Sequence, residues 1–441
     1  GGGPIGLAAA AHLITRGLPV RLYESGETIA ANVHDWGHVR LFSPWRLNID
    51  AAAAGLLRQH GWQEPPPAAM PTGRELVDAY LAPLARIPVM AAVTRTRTCV
   101  QAITRQGLDK VVTRERDTRP FALTIQNGSG GPAVVLARAV IDASGTWQTP
   151  NPFGASGVMA IGEAACADRI AYGIPDVLGA DRATYAGQRV LVVGGGHSAA
   201  NALLDLGRLA QEDPRLRFVW AARAKTLDRI FGGRTADKLP ARGKLGSDLQ
   251  ALVAGGAVQL VLGFGAERIE RRGDALVVSG RRPAGPFALG PVDRIIVATG
   301  QRPDPALTRE LRLDLDPWLE SPRALGPSID PNLHSCGSVP PHGYRELAHP
   351  EAGYFTVGIK SYGRAPTFLM ATGYEQVRSV AAAIAGDLAA ADDVRLVLPE
   401  TGVCSTPSVA IAVDAASAGC CGGPAPAGVD ACCVADAVAK A

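Results

Sequence analysis

The chain has 441 residues, 47% apolar and 19% charged, with a net charge of +3. That is the balance of an ordinary globular protein, long enough for several domains at roughly 100–200 residues each. The basic residues are scattered rather than gathered in a stripe, which argues against a nucleic-acid partner, and no apolar run approaches the ~20 residues that cross a bilayer.

In chain order, the first feature is the glycine loop Gly1-Gly2-Gly3-Pro4-Ile5-Gly6. A phosphate-binding loop of this kind needs a strand ahead of it, so a strand is expected before Gly1. A helix is expected over residues 5–15, ending near Gly17, and a strand over 19–24. Pro65-Pro66-Pro67 marks a loop, and residues 72–86 have helical periodicity. Strands are expected around 91–104, 121–126 and 133–141, with a glycine-rich turn at 127–131. A second strand, glycine loop and helix occupies 188–210, followed by strands at 217–222, 257–262, 275–279 and 293–298. A long apolar helix is expected from 367 to about 385, directly after Pro366. Beyond about 400 the chain turns to Ala, Gly, Pro and Cys with little periodicity, which reads as a mobile tail with one short helix near 430–440.

Gly1-x-Gly3-x-x-Gly6 is a dinucleotide fingerprint. Its first glycine makes the tight turn, its second lets a pyrophosphate approach the backbone, and its third packs helix on strand. Glu24 ends the following strand, where a carboxylate accepts hydrogen bonds from a ribose. Gly194-x-Gly196-x-x-Ala199, with His197 and Ser198 between, is a second fingerprint. Its next strand ends in Arg223, with Lys225 nearby, rather than in an acid. An Arg there pairs with a 2′-phosphate where an acid would repel it, so this loop is expected to take NADPH; a solvated surface cation is the other reading. Two such units in one chain are far more specific than one. Ile141-Asp142-Ala143-Ser144-Gly145-Thr146 and Ile296-Val297-Ala298-Thr299-Gly300 are apolar strands running into small-residue turns, suited to crossings between two domains.

With these features the chain resembles the two-dinucleotide-binding flavoproteins. The resemblance implies an α/β fold: an FAD-binding Rossmann-like domain (1–165 and 297–400), an inserted NADPH-binding Rossmann-like domain (166–296) and a Cys-rich tail (401–441). The disulfide-reductase branch carries a redox cysteine pair beside the flavin, whereas Cys99 and Cys166 are isolated here. The linker at 172–190 and Gly196-His197-Ser198-Ala199 are similar to those of the flavin monooxygenases, although Asp181 and Arg182 stand where their linker has a His. The chain also resembles flavoproteins of bacterial arsenic-resistance operons. This likeness is carried by Trp36-Gly37-His38-Val39-Arg40-Leu41-Phe42-Ser43-Pro44-Trp45-Arg46, Pro71-Thr72-Gly73-Arg74-Glu75-Leu76, His334-Ser335-Cys336-Gly337, Lys360-Ser361-Tyr362-Gly363-Arg364-Ala365-Pro366-Thr367-Phe368 and Leu398-Pro399-Glu400-Thr401-Gly402-Val403-Cys404. It implies an NADPH-dependent FAD monooxygenase of the cytoplasm, with molecular oxygen and a small trivalent arsenical, arsenite or methylarsenite, as partners. A thiol or metal-ion reductase of the mercuric reductase kind and a metalloid-binding flavoprotein are the alternatives.

Pro366 suits a first helical position, because its missing N–H costs nothing there. The resemblance points that helix, with Pro366 and Thr367 at its start, at the flavin pyrimidine edge. Lys360 and Arg364 would add positive charge there, or else stand solvated on a loop. Trp36, His38, Arg40, Trp45 and Arg46 would cover the flavin ring and guide substrate, with Arg46 also a candidate phosphate contact; packing of a long loop is the other reading. Cys420-Cys421 and Cys432-Cys433 are vicinal pairs, strained as disulfides within a pair. Thiolates suit soft ions, and zinc sites usually space their ligands wider than this. The two pairs are therefore expected to capture a soft metalloid, with Cys404 and Cys336 as receiving ligands; thiol–disulfide traffic, zinc and no role are the alternatives.

Overall fold

The computed structural model describes residues 1–128, 130–232, 234–333, 339–366 and 368–395. They belong to one compact unit, Gly1–Cys404, in which two lobes are built on separate parallel sheets.

In the first lobe, α1 (Pro4–Thr15) starts with proline at its first position and is buried from Ile5 to Leu13. A helix apolar on every side belongs inside a protein. It packs against α6 (Met370–Ile384) and α3 (Ala51–Arg58), while the short α2 (Ala31–Asp35) follows the ribose strand. Two parallel ribbons flank α1: β1 (Leu22–Tyr23) with β2 (Thr94–Arg95), and β6 (Val140–Asp142) with β15 (Tyr354–Thr356). An antiparallel meander, β3 (Thr98–Arg105), β4 (Phe121–Asn127) and β5 (Gly131–Ala137), forms the outer layer. Between the ribbons lies a cavity of about 1590 Å³, faced by Ala10 and Leu13 of α1 and by Ile103, Leu123 and Val135 of the meander. Leu22–Tyr23 and Val140–Asp142 both line it.

The second lobe has a five-stranded parallel sheet in the order β10 (Gln259–Leu262), β9 (Arg217–Ala222), β8 (Arg189–Val193), β14 (Arg294–Val297), β7 (Ile170–Tyr172). Val190 to Val193 is a continuous buried apolar run, as befits a strand covered on both faces. α4 (His197–Glu212) and α5 (Pro240–Ala254) cover one face. The antiparallel β11 (Gly265–Arg272), β12 (Ala275–Arg282) and β13 (Gly285–Val292) cover the other. The strand order reverses between β8 and β14, the place where such sheets bind ligands at their carboxyl ends. The two crossings between the lobes run side by side: Asn151 N–H donates to Gly300 O (2.9 Å) and Arg302 N–H to Thr149 O (3.0 Å).

Several expectations need correcting. The strand expected over 19–24 is regular only at Leu22–Tyr23. The stretch 91–104 starts as a helix, Pro88–Val93, because Pro88 sits at a first helical position and Ile87 before it is extended. The helix expected directly after Pro366 starts instead at Met370. Ahead of it, Phe368 meets Tyr362 edge-on at 5.1 Å, and Pro366 is exposed. Pro366 is therefore not the helix start.

Candidate functional site

The first glycine loop is closed by contact. A Cβ on Gly6 would lie 1.8 Å from Gly1 O, and one on Gly1 2.5 Å from Ala143 O; at Gly3 nothing lies within 4 Å. The loop therefore packs its first and third glycines against backbone and leaves the second open to a ligand. Gly3 caps α1 with extended backbone, and the free N–H groups of that helix start favour an anion. Glu24 is 8% exposed, and its carboxylate accepts from Gly2 N–H (2.6 Å) and Gly26 N–H (2.8 Å). The acid thus holds the loop.

Beneath Gly1, at the end of β6, lies a buried network that sequence reasoning did not assemble. Lys360 donates to Asp142 Oδ2 (2.8 Å) and Ser144 Oγ (3.0 Å), and Tyr354 OH donates to the same carboxylate oxygen (2.9 Å). Ser144 N–H donates to the other oxygen, Oδ1 (3.0 Å). Burial would raise the Asp142 carboxyl, but the Lys360 ammonium and the Ser144 bonds outweigh it and hold it well below the usual range. Lys360 is thus a buried, paired cation, and not a solvated one. Its turn is fixed by Gln376 of α6, whose amide accepts from Gly358 N–H (2.8 Å) and donates to Ser361 Oγ (2.9 Å) and His342 Nε2 (2.9 Å). The acid at the end of an otherwise apolar strand was the available signal for Asp142.

Arg364 pairs with Glu320 (3.0 Å) and is partly exposed; Arg46 is exposed in the turn Trp45–Leu47. Trp45 is buried in the core, and Trp36 packs against Gly73, where a Cβ would come within 2.7 Å of its ring. Arg40 donates to Met70 O (2.5 Å). Packing therefore accounts for Trp36 and Trp45, and anchoring for Arg40. Cys336, Thr367, Cys404, Cys420, Cys421, Cys432 and Cys433 lie outside the described residues. Cys99 and Cys166 are free thiols, the first exposed and the second buried.

The second loop repeats the backbone device. Gly194 has φ +142°, and a Cβ there would meet Ala298 O at 2.2 Å; Gly196 has nothing within 4 Å. His197 is the first residue of α4, Ser198 the second, and Ala199 is fully buried where the third small residue packs helix on sheet. Trp220 Nε1–H donates to Gly194 O (2.8 Å) and fixes the turn from below. Arg223 follows β9, exposed, with one bond to Ala155 O (3.0 Å). Residues and spacing at both loops fit a dinucleotide: a helix start, an open middle glycine and a charged group beyond the next strand.

No family model and no curated protein matches the sequence. Solved structures do match in fold. Bacillithiol disulfide reductase Bdr (YpdA) from Bacillus cereus is 17% identical with a TM-score of 0.65, over 88% of this chain and 97% of that one. DfoA, the FAD-bound cadaverine monooxygenase of the desferrioxamine pathway of Erwinia amylovora, is 12% identical with a TM-score of 0.62, over 91% and 96%. Thioredoxin reductase of T. acidophilum is 14% identical with a TM-score of 0.52, over 88% and 96%. The likeness is one of architecture: the chain shares the fold of these oxidoreductases.

Proposed function

We infer that the protein is an NADPH-dependent FAD oxidoreductase, and that it works as a flavin monooxygenase on trivalent arsenicals in the cytoplasm. The observation that carries the cofactor assignment is the pair of helix-capping glycine loops in one compact unit. One has a buried acid beyond its next strand and the other an exposed Arg. Residues 1–165 and 297–400 would hold FAD through Gly1, Gly3, Gly6 and Glu24. Residues 166–296 would hold NADPH through Gly194, Gly196, His197, Ser198, Ala199 and Arg223. Bound FAD would supply a hydride acceptor and a means of activating oxygen. The protein's own part is to bind, orient and exclude water. The helix starts take the pyrophosphates, Glu24 takes a ribose hydroxyl, Arg223 takes the 2′-phosphate, and the Asp142–Lys360 pair keeps the floor of the first loop rigid.

The arsenical assignment rests on the resemblance of the sequence to arsenic-resistance flavoproteins and on the vicinal cysteines of 401–441. Among the described residues no cluster of three or more His, Cys, Asp or Glu is placed to hold a metal ion, and no helix is long and apolar enough to cross a membrane. NADPH and oxygen consumption with and without arsenite or methylarsenite tests the reading, in the parent and in a variant lacking residues 405–441. Substrate-dependent, coupled consumption in the parent, with weaker arsenical binding but unchanged flavin reduction in the variant, is expected. Consumption indifferent to both arsenicals would rule the substrate out.

A further inference from the structure

One segment of the first lobe touches both glycine loops. It begins at Ala30, whose N–H donates to Gly2 O (2.9 Å) in the first loop. Ala30 is 1% exposed and holds φ +56°, a left-handed conformation that a residue with a Cβ adopts only when its surroundings impose it. α2 follows, and its polar side chains reach the first crossing between the lobes. Gln148 Nε2–H donates to Asn32 Oδ1 (2.9 Å), and Trp147 Nε1–H donates to Asp35 Oδ2 (2.9 Å). The Trp147 ring lies against Gly173, just past β7 of the second lobe, where a Cβ would stand 3.4 Å away. The segment reaches Phe42, whose ring packs on His197, the first residue of α4, at 5.1 Å between centroids.

We propose that residues 30–42 form a strut that sets the separation of the two dinucleotide loops, with Asp35 and Phe42 as positioning residues. The inference rests on the reading of both loops as nucleotide sites, and deepens it. Hydride transfer between two bound cofactors requires their reacting atoms to meet within about 3–3.5 Å, and a misplacement of about 1 Å from a distant change costs on the order of a hundredfold. The crossings alone are irregular segments joined by a few hydrogen bonds. The strut adds a third connection, anchored at the backbone of one loop and ending on the helix start of the other. Neither Asp35 nor Phe42 is among the groups assigned to either nucleotide, so each would act through the placement of the lobes.

The test compares the parent with Phe42→Ala, Asp35→Ala and the conservative Phe42→Tyr. It reads FAD content, the Kd for NADP+, the anaerobic rate of flavin reduction by NADPH, and hydrogen–deuterium exchange at the amides of 195–199. Phe42→Ala and Asp35→Ala should each slow reduction about tenfold, with FAD content and Kd held within about twofold. The double variant should be little slower than the worse single one, because the two ends act as a unit. Phe42→Tyr should restore the rate, and exchange at 195–199 should rise in Phe42→Ala whether or not flavin is bound. Unchanged rates with both cofactors bound would overturn the strut. So would a loss of rate matched by a rise in Kd with unchanged exchange, which would make Phe42 an ordinary nucleotide contact. A parent that binds neither nucleotide would defeat the functional reading instead, and the exchange at 195–199 would then decide the strut by itself.

Discussion

The two glycine loops share a backbone design and differ in where their charge goes. Beyond the first, Glu24 is buried and spends both oxygens on the amides of Gly2 and Gly26. Beyond the second, Arg223 is exposed and makes one bond, to Ala155 O. The floors differ too: a buried Asp142–Lys360 ion pair lies under Gly1, and the indole N–H of Trp220 lies under Gly194. A buried charge bonded to its own loop shapes that loop, whereas an exposed one adds recognition without holding anything up. Charge changes at the first loop should therefore act on stability, and those at the second on selectivity.

The largest effect expected is from Lys360→Met. Removing one partner of a buried pair leaves an uncompensated charge and costs about 3–5 kcal/mol, read as a shift in the urea unfolding midpoint. Adding Asp142→Asn should recover part of that loss; a double variant as unstable as the single one would mean the pair is incidental. Glu24→Gln comes next. It leaves one of the two loop amides facing a donor, at about 1–3 kcal/mol, and should lower FAD content along with stability. An equally stable Glu24→Gln would remove the asymmetry between the loops. Arg223→Glu should leave the unfolding midpoint where it is and shift the ratio of NADPH to NADH reduction rates about ten- to a hundredfold toward NADH. A change in stability with no change in that ratio would invert the comparison.

The smallest effect expected is a mild acid sensitivity to which two buried histidines of the first lobe contribute. Burial lowers the pKa of His342, against the pull of its bond to Pro340 O, and burial likewise lowers that of His349. His342 Nδ1–H donates to Pro340 O (3.0 Å) while its Nε2 accepts from Gln376, so protonation would set a donor against a donor. The unfolded chain takes up protons first, near the ordinary value of about 6.5. Stability is therefore full above that pH and falls as pH drops toward the folded values. Unfolding midpoints at pH 7.5 and 5.5 should show the loss, and His342→Gln should reduce it.

Much of this was legible in the sequence because it rests on backbone needs. Gly1 and Gly6 sit where a Cβ would strike backbone and Gly3 stays open, and the helix after them and the strand at 217–222 follow from unbroken patterns. What escaped had its local signal masked by a tertiary requirement. The helix Pro240–Ala254, not among the expected elements, carries Gly243 and Gly246, where a Cβ would lie 2.0 Å from a neighbouring carbonyl, so they serve close packing. The strands Gly265–Arg272 and Gly285–Val292 are not among the expected strands; Arg, Gly or Pro interrupts their apolar residues. The start of α6 was misplaced because Pro366 satisfies a helix start locally, while Phe368 is drawn to Tyr362 before the helix can begin. Asp142 and Phe42 owe their surroundings to residues 218 and 155 positions away, a separation no local pattern encodes.

The most direct test of the account is anaerobic stopped-flow reduction of the purified flavoprotein, with NADPH and NADH compared at equal concentration. The account predicts a yellow protein carrying one FAD per chain, reduced at least about tenfold faster by NADPH, the factor expected from one charge-assisted contact to the 2′-phosphate. A protein that cannot be loaded with FAD, or one reduced equally fast by both nucleotides, would contradict it.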